Sequence, residues 1–245
     1  MAPHIFGCSQ SHFHSNRQAD KPRFASDSQF EDVLPPAFRY TDRRGEIALT
    51  FDDGPNPDVT PHVLDLLDHY SIHATFFLIG RFVRVCENLV REIAVRGHSV
   101  GNHTDSHPGL TLISQAQVSE ELSRCQHSIA TVTGTAPMWM RPPFGLYGPQ
   151  LRGLVWGVGL RRVAMWSIIC GDWRHQPTDA LIQSLGNVGK SAGGGDIVVL
   201  HDGDHRTLRG DRWHILDVLE YWIPRWCDVG YEFIVLDQVG KTSSI

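Results

Sequence analysis

Two histidines four residues apart, His103 and His107 in GNHTDSH, are the first residues of this sequence whose spacing points to chemistry. In a single helical turn that interval sets both imidazoles on one side, a geometry that holds one metal ion. Two solvated loop histidines would share the spacing, which alone favours that plainer reading. The balance changes with ALTFDDGPNP (48–57), where an apolar run ends in Asp52 and Asp53. Two imidazoles and one carboxylate leave a coordination position open for water, the pattern of catalytic rather than closed structural zinc. Neighbouring side chains on a strand point to opposite faces, so adjacent acids should not share a task. A turn through Gly54-Pro55 at the strand's mouth would let both aim at one ion from different angles. Arg141 in RPPFG, Asp172 in GDW and His201 in LHDG carry little information singly.

The elements that must position these residues alternate along the chain. EIALTF (46–51) reads as a strand, and Thr60 with Pro61 as the N-cap and first turn of a helix through HVLDLLDHY. ATFFLIG (74–80) suits a strand buried on both faces. FVRVCENLVREIAVRG reads as one amphipathic helix stopped at Gly97, followed by a strand over 98–103. Ser114 and Gln117 form a capping box for a helix reaching about Gly134. Strands are predicted at 138–141, 162–168 and 196–201, and helices near 149–156 and 178–188. A last helix, WHILDVLEYWIPRWCDVG, precedes a strand in YEFIVL. The alternation predicts an α/β fold, a parallel sheet with helices outside, open or closed into a barrel. Asp52, Asp53, His103, Arg141, Asp172 and His201 all fall at C-terminal ends of predicted strands, where such folds build their sites. Residues 1–45 are polar and read as an N-terminal arm or capping segment ahead of a catalytic domain over 46–245.

Taken in order, TFDDGP (50–55), HTDSH (103–107), RPPFG (141–145), WSIICGDW (166–173) and VLHDG (199–203) resemble the five motifs of the polysaccharide deacetylases, carbohydrate esterase family 4. The resemblance covers about 45–238. It implies a distorted (β/α) barrel of about seven parallel strands, one divalent metal (zinc first, cobalt as an alternative), and removal of acetyl from amino-sugar polymers or from xylan. Carried over by position, it implies Asp53, His103 and His107 as metal ligands and Asp52 as general base. Arg141 and Asp172 become its charged support, and His201 the general acid. The Phe144 backbone N–H would help hold the oxyanion, and Trp173 with Val199 or Leu200 would line a pocket for the acetyl methyl. Whether Asp172 contacts Arg141, His201 or both stays open. The chemistry is coherent: bound Zn²⁺ lowers the pKa of water from 15.7 toward ~7 and polarises a carbonyl, a carboxylate takes the remaining proton, and an imidazolium protonates the leaving amine. The sequence departs from the family pattern at Ile169, Val199 and Phe144, which bears on substrate preference.

Composition bounds the alternatives. Hydrophobic residues make up 41% and charged residues 20%, an ordinary globular balance, and the net charge of -5 excludes an electrostatic nucleic-acid binder. Five scattered cysteines without a Cys-x-x-Cys exclude a disulfide scaffold or cysteine-based zinc site, and Cys170 reads as a packed thiol. No apolar run approaches the ~18–20 residues of a membrane helix. The start lacks a signal-peptide pattern, so the expectation is a soluble chain, cytoplasmic unless a leader has been removed. The partner is an acetylated carbohydrate, the state a monomer or small homo-oligomer. Rival readings are an acetylxylan esterase or small-amide hydrolase, and a catalytically idle carbohydrate-binding protein. Trp222 and Trp226 read as core rather than a sugar platform. His205, Arg206, Arg209, Arg212 and Trp213 form a basic rim or a solvated loop. His4, His12 and His14 are candidates only for adventitious metal.

Overall fold

A computed structural model describes residues 37–240 apart from 147, 149, 150, 152, 175 and 192. The strand expected at 46–51 runs on through the acid pair: β2 covers Glu46–Gly54, and all of it is buried. Its hydroxyl at Thr50 is satisfied by donating to the Val198 carbonyl at 2.6 Å. On one side of β2 lie β3 (Thr75–Leu78), β4 (Ser99–Asn102), β5 (Trp139–Met140) and β6 (Arg162–Ala164). On the other lie β8 (Asp196–His201) and β7 (Ile168–Ile169). β1 (Ala37–Phe38) joins β6, β9 (Glu232–Phe233) joins β2, and every ladder is parallel.

The stretch expected as one strand over 162–168 is two, and curvature is the reason. β6 pairs with β5 and β7 with β8, so one short piece of chain touches both sides of the sheet. The sheet curls back on itself as a half-barrel. Residues 37–41 cross the same gap: Ala37 and Phe38 pair with Val163 and Ala164, and the Thr41 N–H donates to the Gly195 carbonyl at 3.0 Å. Residues 1–36 of the expected arm, with His4, His12 and His14, lie outside the described residues.

Alternation along the strands sorts the core into two layers. Ile47, Leu49 and Phe51 with Phe76 and Leu78 face the helices, where they meet Leu64, Val90, Ile129 and Val218. Ala48, Phe77, Trp139, Ala164 and Ile197 fill the barrel interior. The helices are α1 (Thr60–His69), α2 (Gly80–Val83), α3 (Glu87–Val95), α4 (Gln115–Thr133), α5 (Leu154–Gly157), α6 (Thr178–Ser184) and α7 (His214–Val229). The capping box at Ser114 and Gln117 is present, and α4 ends at Gly134. Trp222 stacks on buried Trp226 at 5.5 Å and donates its indole N–H to the Ile182 carbonyl, so both are core.

Two further expectations fail locally. Thr60 is not the cap of α1. Val59 holds that position, and the Thr60 hydroxyl accepts from the Asn56 N–H at 2.8 Å and donates to buried Asp202. The helix expected over 82–97 is broken between Val83 and Glu87, with Cys86 at non-helical φ -117° and ψ 40°. The first piece has another duty: its Gly80 and Arg81 N–H groups donate to the Thr104 and Asp105 carbonyls, each at 3.0 Å. A Cβ on Gly80 would sit 2.6 Å from Asp105 Oδ1 and 2.8 Å from Cys125 Cα, so only glycine permits this approach. Thus α2 is a clamp on the loop that carries the two histidines.

Candidate active site

The acid pair is explained by β2 itself. Asp52 continues the interior-facing series of Ala48 and Thr50, whereas Asp53 in a regular strand would face the helices. Instead Asp53 has φ 69°, and the register against β3 shifts between Asp52 and Gly54. This bulge turns the second carboxylate to the same mouth as the first. Left-handed backbone recurs here: Asp53, Thr104, His107 and Phe144 are four of the five non-glycine residues with positive φ among those described. Such conformations cost roughly 1–3 kcal/mol each and persist where the surroundings over-determine them.

His103 and His107 do not lie on a helical turn, contrary to the spacing argument. They flank a tight loop in which Asn102 Oδ1 accepts from the Thr104 N–H at 2.9 Å and Thr104 Oγ1 accepts from the His107 N–H at 3.0 Å. Asp105 anchors it further through Arg84 at 2.5 Å and Arg124 at 3.1 Å. The outcome matches what a helix would have given. His103 Nε2 and His107 Nε2 converge on Asp53 Oδ1 at 3.4 and 3.2 Å.

This convergence fits a cation. Asp53 Oδ1 is buried and receives no hydrogen bond. His103 Nδ1 lies 2.8 Å from the Arg141 carbonyl, which can only accept, so Nδ1 carries a proton and Nε2 is the nitrogen turned to Asp53. Burial, with His103 alongside, pushes the His107 imidazolium down to about 3, so this ring is neutral. Burial would push the Asp53 carboxyl up, but the imidazoles of His103 and His205 hold it well below the usual carboxylate range. Two imidazole nitrogens beside one carboxylate form a donor set suited to zinc or a similar divalent ion.

Two further pairs stand beside it. Arg141 is wholly buried and donates to Asp52 Oδ1 and Thr50 Oγ1, both at 2.7 Å, and to the Ala164 and Met165 carbonyls at 3.3 and 3.0 Å. Its plane lies over the Phe77 ring at 4.4 Å. Asp172 pairs with His201, not Arg141: Oδ2 accepts from the His201 backbone N–H at 2.6 Å and Oδ1 from ring Nδ1 at 3.0 Å. Burial works to lower the His201 pKa, but the charge and hydrogen bond of Asp172, with Asp52 and Asp53 beyond, raise it to about 9. This imidazole is protonated at neutral pH.

Asp52, Asp53, His103, His107 and His201 line one cavity of about 400 Å³, whose walls include Phe144, Trp166, Ile169, Trp173 and Val199. Phe144 sets its ring edge against His107 at 4.6 Å, and Trp173 lies 5.2 Å from the His201 ring. Leu200 points away, because alternation along β8 sends it into the core between sheet and helices. Cys170 is a buried thiol beside Ser184, pushed up to about 12 by burial. His205 also reaches the site, with Nδ1 3.4 Å from Asp53 Oδ2. Sequence reasoning left it in a rim, and only its place four residues after His201 hinted otherwise.

A parallel α/β half-barrel that gathers buried carboxylates, imidazoles and an arginine at its strand ends is the frame of a hydrolytic enzyme. Residues 39–163 match the family model described as polysaccharide deacetylase, and the chain belongs to that family of hydrolases. It is 36% identical to a chitooligosaccharide deacetylase of Azorhizobium caulinodans, over 78% of this chain and 93% of the relative. The fold superposes on the crystal structure of a peptidoglycan N-acetylglucosamine deacetylase with TM-score 0.74 and 29% identity, covering 88% of this chain and 95% of the other. It also resembles a family 4 acetyl xylan esterase from Clostridium thermocellum, solved with a cobalt ion: TM-score 0.66, 29% identity, 79% and 89% coverage. Among the described residues, no helix is long and apolar enough to cross a membrane.

Proposed function

We propose that this protein is a metal-dependent deacetylase that removes the acetyl group from N-acetylated amino-sugar oligomers or polymers of chitin or peptidoglycan type. The observation that carries the reading is the placement of Asp52–Arg141 and His201–Asp172 on one cavity, with Asp53, His103 and His107 among them. Asp53, His103 and His107 would hold a divalent cation, zinc or cobalt by their chemistry. Such an ion supplies Lewis acidity toward an acyl oxygen and makes water a nucleophile near neutral pH.

The remaining steps belong to the chain. Asp52, held by the Arg141 guanidinium at 2.7 Å, accepts the proton of the attacking water. The acetyl methyl packs against Trp173, Val199 and Ile169, which exclude bulk water from the carbonyl. The Phe144 N–H, at a residue with φ 59°, is the backbone donor available to the developing oxyanion. As the C–N bond breaks, the His201 imidazolium donates its Nε2 proton to the leaving amine, while Nδ1 stays on Asp172. Water enters, and acetate and the free amino sugar leave.

The relatives named for chitooligosaccharide and peptidoglycan substrates support an amide over an ester, while the xylan esterase likeness supplies the rival. Acetate release should be measured in parallel from chitooligosaccharides, peptidoglycan fragments and acetylated xylan. The expected result is turnover of an amino-sugar substrate, abolished by a chelator, restored by Zn²⁺ or Co²⁺, and lost in Asp52→Asn with metal content preserved. Release from acetylated xylan alone would overturn the substrate assignment, and undiminished turnover by the Asp52→Asn protein would overturn the base.

A further inference from the structure

Beyond the acid that ends β8, the chain doubles back through 203–207 and sets His205 over the cation-binding set. Its ring stacks on His107, with centroids 4.3 Å apart and planes at 21°, and its Nδ1 faces Asp53 Oδ2 at 3.4 Å. The Phe144 ring closes edge-on against both imidazoles, at 4.6 and 5.6 Å. The loop's backbone is fixed beside the set. Arg81, from the clamp helix α2, donates to the His205 carbonyl. Asp204, next in chain, is ion-paired with Arg206 at 3.0 Å and with buried Arg212 at 3.1 Å, and Arg212 Nε donates to the Gly203 carbonyl at 2.9 Å.

The donor atoms of Asp53, His107 and His205 all lie within 4.8 Å of one another. Three atoms so spaced fit within a circle of radius about 2.8 Å at most, but near-parallel rings cannot both aim in-plane lone pairs at one ion, so the His205 ring turns out of its stack on His107 to reach a ~2.0–2.1 Å Zn–N bond. A hydrogen bond explains the placement less well, since 3.4 Å exceeds the usual 2.7–3.2 Å range for N–H···O. We propose that His205 is an additional protein ligand of the cation, so that this chain offers three imidazoles and one carboxylate where the motif pattern supplies two and one. The inference rests on the site of Asp53, His103 and His107 described above.

A fourth protein ligand has a consequence for catalysis. Four ligands complete a tetrahedral ion as in closed structural sites, so the substrate must expand the sphere or displace one of them. His205 is the ligand suited to yield. Its side chain is 32% exposed, against 3% for His103, 4% for His107 and 5% for Asp53. The resting chain would hold its metal more firmly than a three-ligand site and release one imidazole when the acetyl group arrives.

The test counts imidazoles directly. The full-length protein, loaded with Zn²⁺, is compared with His205→Ala, His205→Gln and His103→Ala by X-ray absorption at the zinc edge and by competition with a chelator. Three imidazoles in the wild type and two in both His205 variants are expected, with zinc dissociation constants raised about tenfold or more. The glutamine separates the alternatives, because its amide can keep a hydrogen bond to Asp53 but is a poor zinc ligand. A His205→Gln protein identical to wild type would overturn the proposal, as would two imidazoles in the wild type. If His103→Ala also left zinc binding intact, the underlying cation site would fall as well. Loss in His103→Ala but not in either His205 variant would remove the fourth ligand alone.

Discussion

Asp172 gives both carboxylate oxygens to His201, one to its backbone and one to its ring, and no other pair at the site so plainly sets a protonation state. The sign follows from the raised pKa: His201 is the imidazolium below about 9, so the acid function proposed for it is present at neutral pH and lost as pH rises through that value. In Asp172→Asn the amide can still accept the ring N–H, but the charge that raised the pKa is gone. The alkaline limb of the kcat/KM profile should move from near 9 toward the ordinary histidine value of ~6.5, with a loss of about 10–100-fold at pH 8. An unmoved limb would show that another group sets it. That Asp52, Asp53, His103, His107, Arg141, Asp172 and His201 gather at one mouth was legible in the sequence, because motif order and strand-end placement agree. The partner choice of Asp172 was not, since it depends on how 171–173 folds against β8. Nor was the placement of His205 beside Asp53, which no periodicity encodes and which rests on distant Arg81 and Arg212 fixing its loop.

At the level of elements, the site depends on how closely β2 and β8 approach beyond their last paired residues, Asp52 and His201. The Gly203 N–H lies 3.4 Å from the Asp52 carbonyl, and a Cβ on Gly203 would stand 2.1 Å from the Asp53 carbonyl oxygen and 2.7 Å from the Gly54 nitrogen. Both are backbone atoms and cannot rotate aside, so Gly203→Ala must push the bulge of β2 away from β8. Overpacking of this kind costs typically 1–3 kcal/mol. The strain falls on the residue that turns Asp53 inward, so zinc affinity should drop along with the denaturation midpoint. A variant with unchanged zinc affinity would show that the bulge holds without the approach. The sequence reveals β2, but not the bulge: φ 69° at an aspartate contradicts local preference and is imposed by neighbouring strands. The break between α2 and α3 has the same origin. Amphipathic periodicity runs unbroken through Arg84–Cys86, yet Cys86 leaves the helical conformation while the start of α2 is tied to Thr104 and Asp105.

Over the whole molecule, parallel architecture was readable from the β–α alternation, whereas closure was not: one run, RVAMWSI, serves both sides of the gap, and 37–41 fills it. The architecture also divides labour between its ends. Chemistry occupies the C-terminal ends of the strands, and the opposite end bears on stability, with His98 at the entry to β4 as its titrating member. His98 Nδ1 accepts the Ala74 N–H at 3.1 Å, so a second ring proton would set donor against donor, and its Nε2 is buried without a partner. Burial, with His73 and Arg96 nearby and only Asp68 opposing, lowers its pKa to about 4. The unfolded chain takes up this proton near ~6.5, so His98 leaves stability intact above that pH and removes it as pH falls from there toward 4. The full difference is on the order of 3 kcal/mol at ~1.4 kcal/mol per unit. Urea unfolding of the wild type from pH 7.5 to 4.5 should therefore show falling stability. His98→Gln, whose amide oxygen can accept from Ala74 without titrating, should flatten that slope whatever it costs at neutral pH. Parallel slopes for the two proteins would assign the acid sensitivity to other groups and leave His98 a packed ring without a role in it.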